Sequence, residues 1–302
     1  GALHVPDDVF PLALLYLRIY LAGMPVILLY NFEAAIFRSV GDTKIPLMAL
    51  ATSGVLNVLL NLFFVAVLHM TVNGVAIATV ISNAFSAALL YRRLRRTDRE
   101  VHLDPKQLRI DGAVLKHILH IGLPAGVQSA VFAISNIVIQ SAVNSLGTVV
   151  MAAFAAAVKI DAFAYLPVQD FGNAFSTFIA QNYGAQRPER IRRGIRTAVL
   201  LSSVFAVCVS ACVVLLAAPL LGLFLQPGET EILQAGVTYL RIAGAFYVGI
   251  GGLFLLYGLY RAVGRPGMSL VLTVISLGTR VALAYALSAV PAIGVVGIWW
   301  SI

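Results

Sequence analysis

Residues 16–79 recur without a gap at 239–302, with 17 identities in 64 aligned positions. Tyr16-Leu17-Arg18-Ile19 meets Tyr239-Leu240-Arg241-Ile242 at an offset of 223, and the same offset pairs Arg38-Ser39-Val40-Gly41 with Arg261-Ala262-Val263-Gly264 and Gly74 with Gly297. An internal repeat constrains a fold more than any local signal, because the chain must build the same unit twice. Shifting the second copy's surroundings back by that offset predicts three further helices ahead of residue 1, and the remainder of a last helix beyond residue 302.

The repeated unit is apolar. The chain is 60% hydrophobic and 11% charged, with a mean hydropathy of +0.92, whereas soluble domains carry about 25% charged residues. Apolar runs fall near 12–37, 45–68, 74–94, 115–143, 149–183, 191–224, 233–260 and 267–290, and a ninth starts near 295. Runs of roughly 20 residues cross a hydrocarbon core of about 30 Å as helices. Only helices and closed barrels satisfy their backbone in lipid, and the strict alternation of a barrel strand is missing. The predicted class is an all-α polytopic membrane protein, with two homologous six-helix lobes truncated to about eight and a half spans. Residues 1–95 would be part of the first lobe, 96–114 a basic linker and 115–302 the second lobe.

The net charge of +8 is confined. Seventeen of the 21 Lys and Arg residues fall in the segments 38–44, 92–116, 184–196 and 261–266, while the connections near 69–73, 144–148, 225–232 and 291–294 hold none. A basic surface for nucleic acid would not skip every second loop. The alternation follows the positive-inside rule and places those four segments in the cytoplasm. Both copies of the repeat then run the same way through the bilayer. Such a parallel repeat occurs in transporters, where two lobes rock to give alternating access.

Several motifs fit one family. Phe37-Arg38-Ser39-Val40-Gly41-Asp42-Thr43-Lys44, Gly122-Leu123-Pro124 and Gln181-Asn182-Tyr183-Gly184-Ala185, in this order and topology, resemble the multidrug and toxic compound extrusion (MATE) transporters, most closely bacterial ones. The resemblance covers essentially the whole chain. It implies a twelve-helix antiporter of the bacterial plasma (inner) membrane that expels organic, often cationic, small molecules in exchange for Na⁺ or H⁺. No other cofactor, no nucleic acid and a monomeric state are expected. The chain also departs from the family. Where several members carry Asn and then Asp four residues on, it has Asn57 and Asn61, and where some place Glu after the Gly-Leu-Pro motif, it has Phe132.

Charges inside spans are functional candidates, since each costs about 2.5–3.5 kcal/mol on insertion scales. Glu33, Lys159, Asp161, Asp170 and Arg280 qualify; Arg18 and Arg241, near helix ends, can snorkel to headgroups. Lys159 and Asp170 are eleven residues apart and share a helix face with Asn173, Thr177 and Gln181. Asp161 points elsewhere, toward Arg280 or the amides of the preceding span. Pro167 is expected to kink the helix between the two acids. Gln128, Asn136, Gln140 and Asn144 form one amide stripe, which either binds a ligand or joins helices. Glu33 is within reach of Arg38 for a local ion pair. These charged and amide residues, with Asn57 and Asn61, are the candidates for substrate or coupling-ion binding.

The rival reading is a flippase for lipid-linked saccharides, which would need a cavity lined with Arg and Lys. An enzyme is not expected: no HExxH, Ser–His arrangement or paired aspartates occur. Cys208 with Cys212 and His117 with His120 share helix faces but lack the partners of a metal site.

Overall fold

The computed structural model describes residues 10–97, 101–226, 228–288 and 295–301. Helices α1 (Phe10–Ser39), α2 (Lys44–Leu62) and α3 (Val72–Arg96) are followed by α4 (Gly112–Asn144), α5 (Thr148–Gly184) and α6 (Pro188–Leu215). Then come α7 (Ala217–Gly222), α8 (Thr230–Ala245), α9 (Tyr247–Ala262), α10 (Pro266–Ser288) and α11 (Val295–Ser301). No strand occurs among the described residues. Among the described residues seven helices are long and apolar enough to cross a membrane, and the α8–α9 pair, bent by 50°, is an eighth if the two helices form one broken span.

Two expected spans are interrupted. The run 233–260 is broken at Phe246, in a stretch holding Gly244, Gly249, Gly251 and Gly252, where helix propensity is weak. Ser210 of α6 donates its hydroxyl to the Gly244 carbonyl, satisfying an oxygen at the end of α8. The run 191–224 ends as α6 at Leu215, and the short α7 completes it. The run 45–68 closes with a π-helical turn over Phe63–Val67. Pro167 lies inside α5, which remains one continuous helix.

The repeat is visible in the backbone. Helix α1 ends at Ser39 and α9 at Ala262, which are equivalent positions. Gly41 and Gly264 follow, at φ +81° and +72°, a region that strains residues bearing a Cβ. The Asp42 amide donates to the Phe37 carbonyl at 3.0 Å, and the Arg265 amide to the Tyr260 carbonyl at 2.9 Å. Both copies therefore close with the same left-handed cap, which satisfies carbonyls left open at the helix end.

The chain forms two units, Gly1–Arg109 and Ile110–Ile302. In the first, α3 packs against both α1 and α2, around Ala34, Phe37, Ala49, Leu90 and Leu94. Leu47, Met48, Leu50, Val55 and Leu59 of α2 are exposed, an apolar surface suited to lipid. In the second unit α5 is central and packs on α9, α8 and α6, while α10 packs on α4. The α5–α9 contact depends on glycine: a Cβ at Gly258 would lie 2.6 Å from the Gly172 carbonyl oxygen. Small residues permit such close helix approach in membranes.

Candidate functional site

The second unit builds a polar centre around Asp161. Thirteen positions on from Thr148 at the start of α5, Asp161 sits about 20 Å along that helix, well inside a bilayer-spanning length. It is half-buried. Tyr247 of α9 donates its hydroxyl to Asp161 Oδ1 at 2.6 Å, and Tyr239 of α8 donates to Oδ2 at 3.4 Å. On one straight helix, residues eight apart would be separated by about 12 Å along the axis. The bend at Phe246 brings both phenols onto one carboxylate.

Aromatic rings fix Tyr239 from behind. Its ring is edge-on to Phe154 at 5.5 Å and to Trp299 at 5.0 Å, and those two rings stack at 5.7 Å. Tyr239, Tyr247 and Trp299 are almost fully buried. Ring pairs with these geometries add about 0.5–1.5 kcal/mol each beyond burial.

Arg280 of α10 is within electrostatic reach of both Asp161 and Tyr239. Its direct partner, however, is an amide: Nη1 donates to Asn136 Oδ1 of α4 at 3.3 Å, and its buried Nε has no acceptor. Asp161 thus has Arg280 within electrostatic reach, as expected, while its direct hydrogen bonds come from Tyr247 and Tyr239 and not from the amides of α4. Hydroxyls meet the carboxylate directly and the guanidinium acts at longer range. Chemically, this is a carboxylate with two oriented O–H donors and a nearby fixed cation, in an aromatic surround. It can hold a proton or a small cation, and it can exchange one for the other.

The amides do not form a single working stripe. Gln128 is buried and donates to Thr273 of α10 at 2.9 Å, which ties α4 to α10. Gln140 donates to Asn144 at 2.7 Å on the exposed face of α4. On α5, Lys159, Asp170 and Asn173 are exposed, as their shared face predicts. Lys159 Nζ lies 5.7 Å from the centre of the Phe224 ring, a cation–π distance. Asn173 accepts a bond from Arg261 Nη2 at 3.2 Å.

In the first unit, Asn61 donates to Asn57 at 3.0 Å and Asn57 donates to Ser82 of α3 at 3.2 Å. Asn61 Oδ1 remains buried without a partner. Glu33 contradicts its expected ion pair with Arg38: the carboxyl is buried and unpartnered, while Arg38 is exposed. Five residues place two side chains about 140° apart around a helix, too far round for that pair to close here. Among the described residues no cluster of His, Cys, Asp and Glu could hold a metal ion.

Sequence reasoning missed Tyr239 and Tyr247. The available signal was that a tyrosine within a span needs a hydroxyl partner when buried; a lone aspartate on a neighbouring span supplies one.

Helical spans and an internal repeat define a polytopic α-helical membrane protein. The sequence profile of the MatE family matches residues 124–286, and the chain belongs to that family. A profile described as lipid II flippase MurJ matches residues 12–112. The chain is 32% identical over 191 residues to probable multidrug resistance protein YpnP of Bacillus subtilis, covering 63% of this chain and 42% of that protein. It is 28% identical over 232 residues to probable multidrug resistance protein YoeA of the same organism, covering 74% and 50%. It thus spans about half the length of these curated relatives. A solved multidrug resistance MATE family transporter of the MOP superfamily, in an outward-facing conformation, superposes with a TM-score of 0.92 at 24% identity. That match covers all of this chain and 67% of the other.

Proposed function

We propose that this protein is a secondary active efflux transporter of a bacterial plasma membrane, expelling organic, cationic compounds in exchange for Na⁺ or H⁺. The observation that carries the reading is the Asp161 carboxylate, held inside a membrane helix by two phenols in a family whose relatives here are named as multidrug resistance proteins. Cation or proton binding at Asp161 favours one conformation and the organic compound favours the other. A ligand shifts such an equilibrium only by its differential affinity for the two states. The basic segments 38–44, 92–116, 184–196 and 261–266 face the cytoplasm in this reading, which rests on the positive-inside rule.

The test is ethidium efflux from vesicles containing the intact transporter, under imposed Na⁺ or proton gradients. Asp161→Asn keeps the shape and the acceptor oxygen but loses the charge. It is expected to abolish gradient-driven efflux while expression stays normal, and unchanged efflux would refute the assignment. The second reading, a flippase for lipid-linked saccharides, is favoured by the MurJ profile match and by a groove in the first unit lined by Ile45, Met48, Arg92, Arg93 and Arg96. It predicts translocation of a fluorescent pyrophosphate-linked lipid in the same vesicles and no ethidium movement.

A further inference from the structure

We propose that Glu33 is a proton-carrying site in the first unit, a carboxyl that takes up and releases one proton in each transport cycle. The proposal rests on the antiport reading and deepens it by naming a carrier for the coupling ion apart from Asp161. Glu33 is 3% exposed, and both carboxyl oxygens are buried with no hydrogen-bond partner. It lies on α1 six residues before Ser39, about 9 Å from the end of the helix and so inside the spanning length. Its neighbours Ala34 and Phe37 belong to the apolar core shared with Leu90 and Leu94 of α3, with Tyr30 packed alongside.

The charged and titratable groups of the three helices are Tyr16, Arg18, Tyr20, Tyr30 and Arg38 on α1, Lys44 on α2, and Tyr91, Arg92, Arg93, Arg95 and Arg96 on α3, of which three arginines lie in the last turn. None of them bonds to Glu33. An ionised carboxylate in this place would carry an effective burial penalty of several kcal/mol with nothing to offset it. A neutral acid does not incur that penalty. The conformation described here therefore holds the protonated acid. A conformation that loosens α1 from α3 and admits water lets the acid ionise and release its proton. The step is simple proton transfer, carboxylate plus H⁺ giving carboxylic acid, with no other bond changed.

At the equivalent position of the repeat the second unit has Leu256, which is 43% exposed, so a buried acid is particular to the first unit. A buried acid with no structural task in a repeated fold is a functional candidate by default.

The experiment uses the intact transporter and three variants, Glu33→Gln, Glu33→Leu and Glu33→Asp. Infrared absorption of the purified protein at neutral pH is expected to contain a protonated-acid carbonyl stretch that Glu33→Gln lacks. In vesicles under a proton gradient, Glu33→Gln and Glu33→Leu are expected to lower ethidium efflux by at least about tenfold with ethidium binding intact. Glu33→Asp should retain efflux with a displaced pH profile. Leucine guards against misfolding as an explanation, since replacing a buried ionisable group by an apolar one of similar volume is commonly neutral or stabilising. No lost acid band, or a Glu33→Gln profile matching wild type, overturns the proposal, as does wild-type efflux driven by Na⁺ alone. Wild-type protein inactive under both gradients overturns the efflux reading instead, and the infrared result then decides the charge state of Glu33.

Discussion

Gly258→Ala tests whether the contact between α5 and α9 is as close as the structure has it. An alanine Cβ there would stand 2.6 Å from the Gly172 carbonyl oxygen and 3.4 Å from Ser176 Cβ. Carbon and carbonyl oxygen approach to about 3.3 Å in ordinary contacts, so α9 must withdraw from α5 by about 0.7 Å. A gap of that size forfeits a quarter to a half of each affected dispersion contact, and overpacking of this kind costs about 1–3 kcal/mol. Alanine also favours the helix by about 0.5–1 kcal/mol over glycine, which would mask part of the loss. Gly252→Ala removes that ambiguity. It lies on the same helix, gains the same propensity, and meets nothing within 4 Å. Melting is read in detergent as the loss of monodisperse protein with temperature. At about 2–4 °C per kcal/mol for a unit of this size, Gly258→Ala should melt about 2–12 °C below Gly252→Ala. Equal midpoints would show that the two helices are not held at this distance.

Two further substitutions separate the groups around Asp161 from those that only join helices. Tyr247→Phe removes the 2.6 Å bond to the carboxylate; bonds to charged groups contribute about 1.5–3 kcal/mol, so ethidium efflux should fall by roughly tenfold or more. Tyr239→Phe removes only a 3.4 Å contact and should cost less, and the reverse order would refute the geometry. Gln128→Leu breaks the bond to Thr273 while Thr273 still donates to the Ser269 carbonyl. It should lower stability by about 1 kcal/mol and leave efflux intact; loss of ethidium binding at unchanged stability would make Gln128 a ligand-binding residue.

Much of the fold could be read from residue order alone. Hydropathy located the spans because a lipid core admits little else, and the repeat located equivalent helix ends because the same cap needs the same glycine. Gly41 and Gly264 adopt the same left-handed conformation at the same place. The break at Phe246 was not legible: a helix of glycine and apolar residues has the same hydropathy straight or bent, and the Ser210 hydroxyl that meets the Gly244 carbonyl comes from α6, outside any local window of sequence. Lys159 and Asp170 took the shared face that helical periodicity assigns. The direct hydrogen-bond partners of Asp161 and Arg280, and the lack of one for Glu33, were not legible, because pairing depends on rotation about each helix axis. A shift of one residue turns a side chain by about 100°.

The two units therefore share a backbone plan but not a chemistry. Where the first unit has Asn57 the second has Arg280, and where the first has Glu33 the second has Leu256. The Arg280 charge stands near a carboxylate on a second helix and is held by an amide on a third, so the second unit can tolerate a charged centre. In the first unit Glu33 is buried next to residues of an apolar core, and its carboxyl has no hydrogen-bond partner among the described residues. A symmetric pair of binding centres would respond to one ion in the same way. An acid stabilised by partners and an acid stabilised only by its proton respond differently, the first to any small cation and the second to protons alone. In the proposed antiport cycle that difference would separate a cation site from a proton site, and the variants of Asp161 and Glu33 measured in the same vesicles distinguish the two contributions.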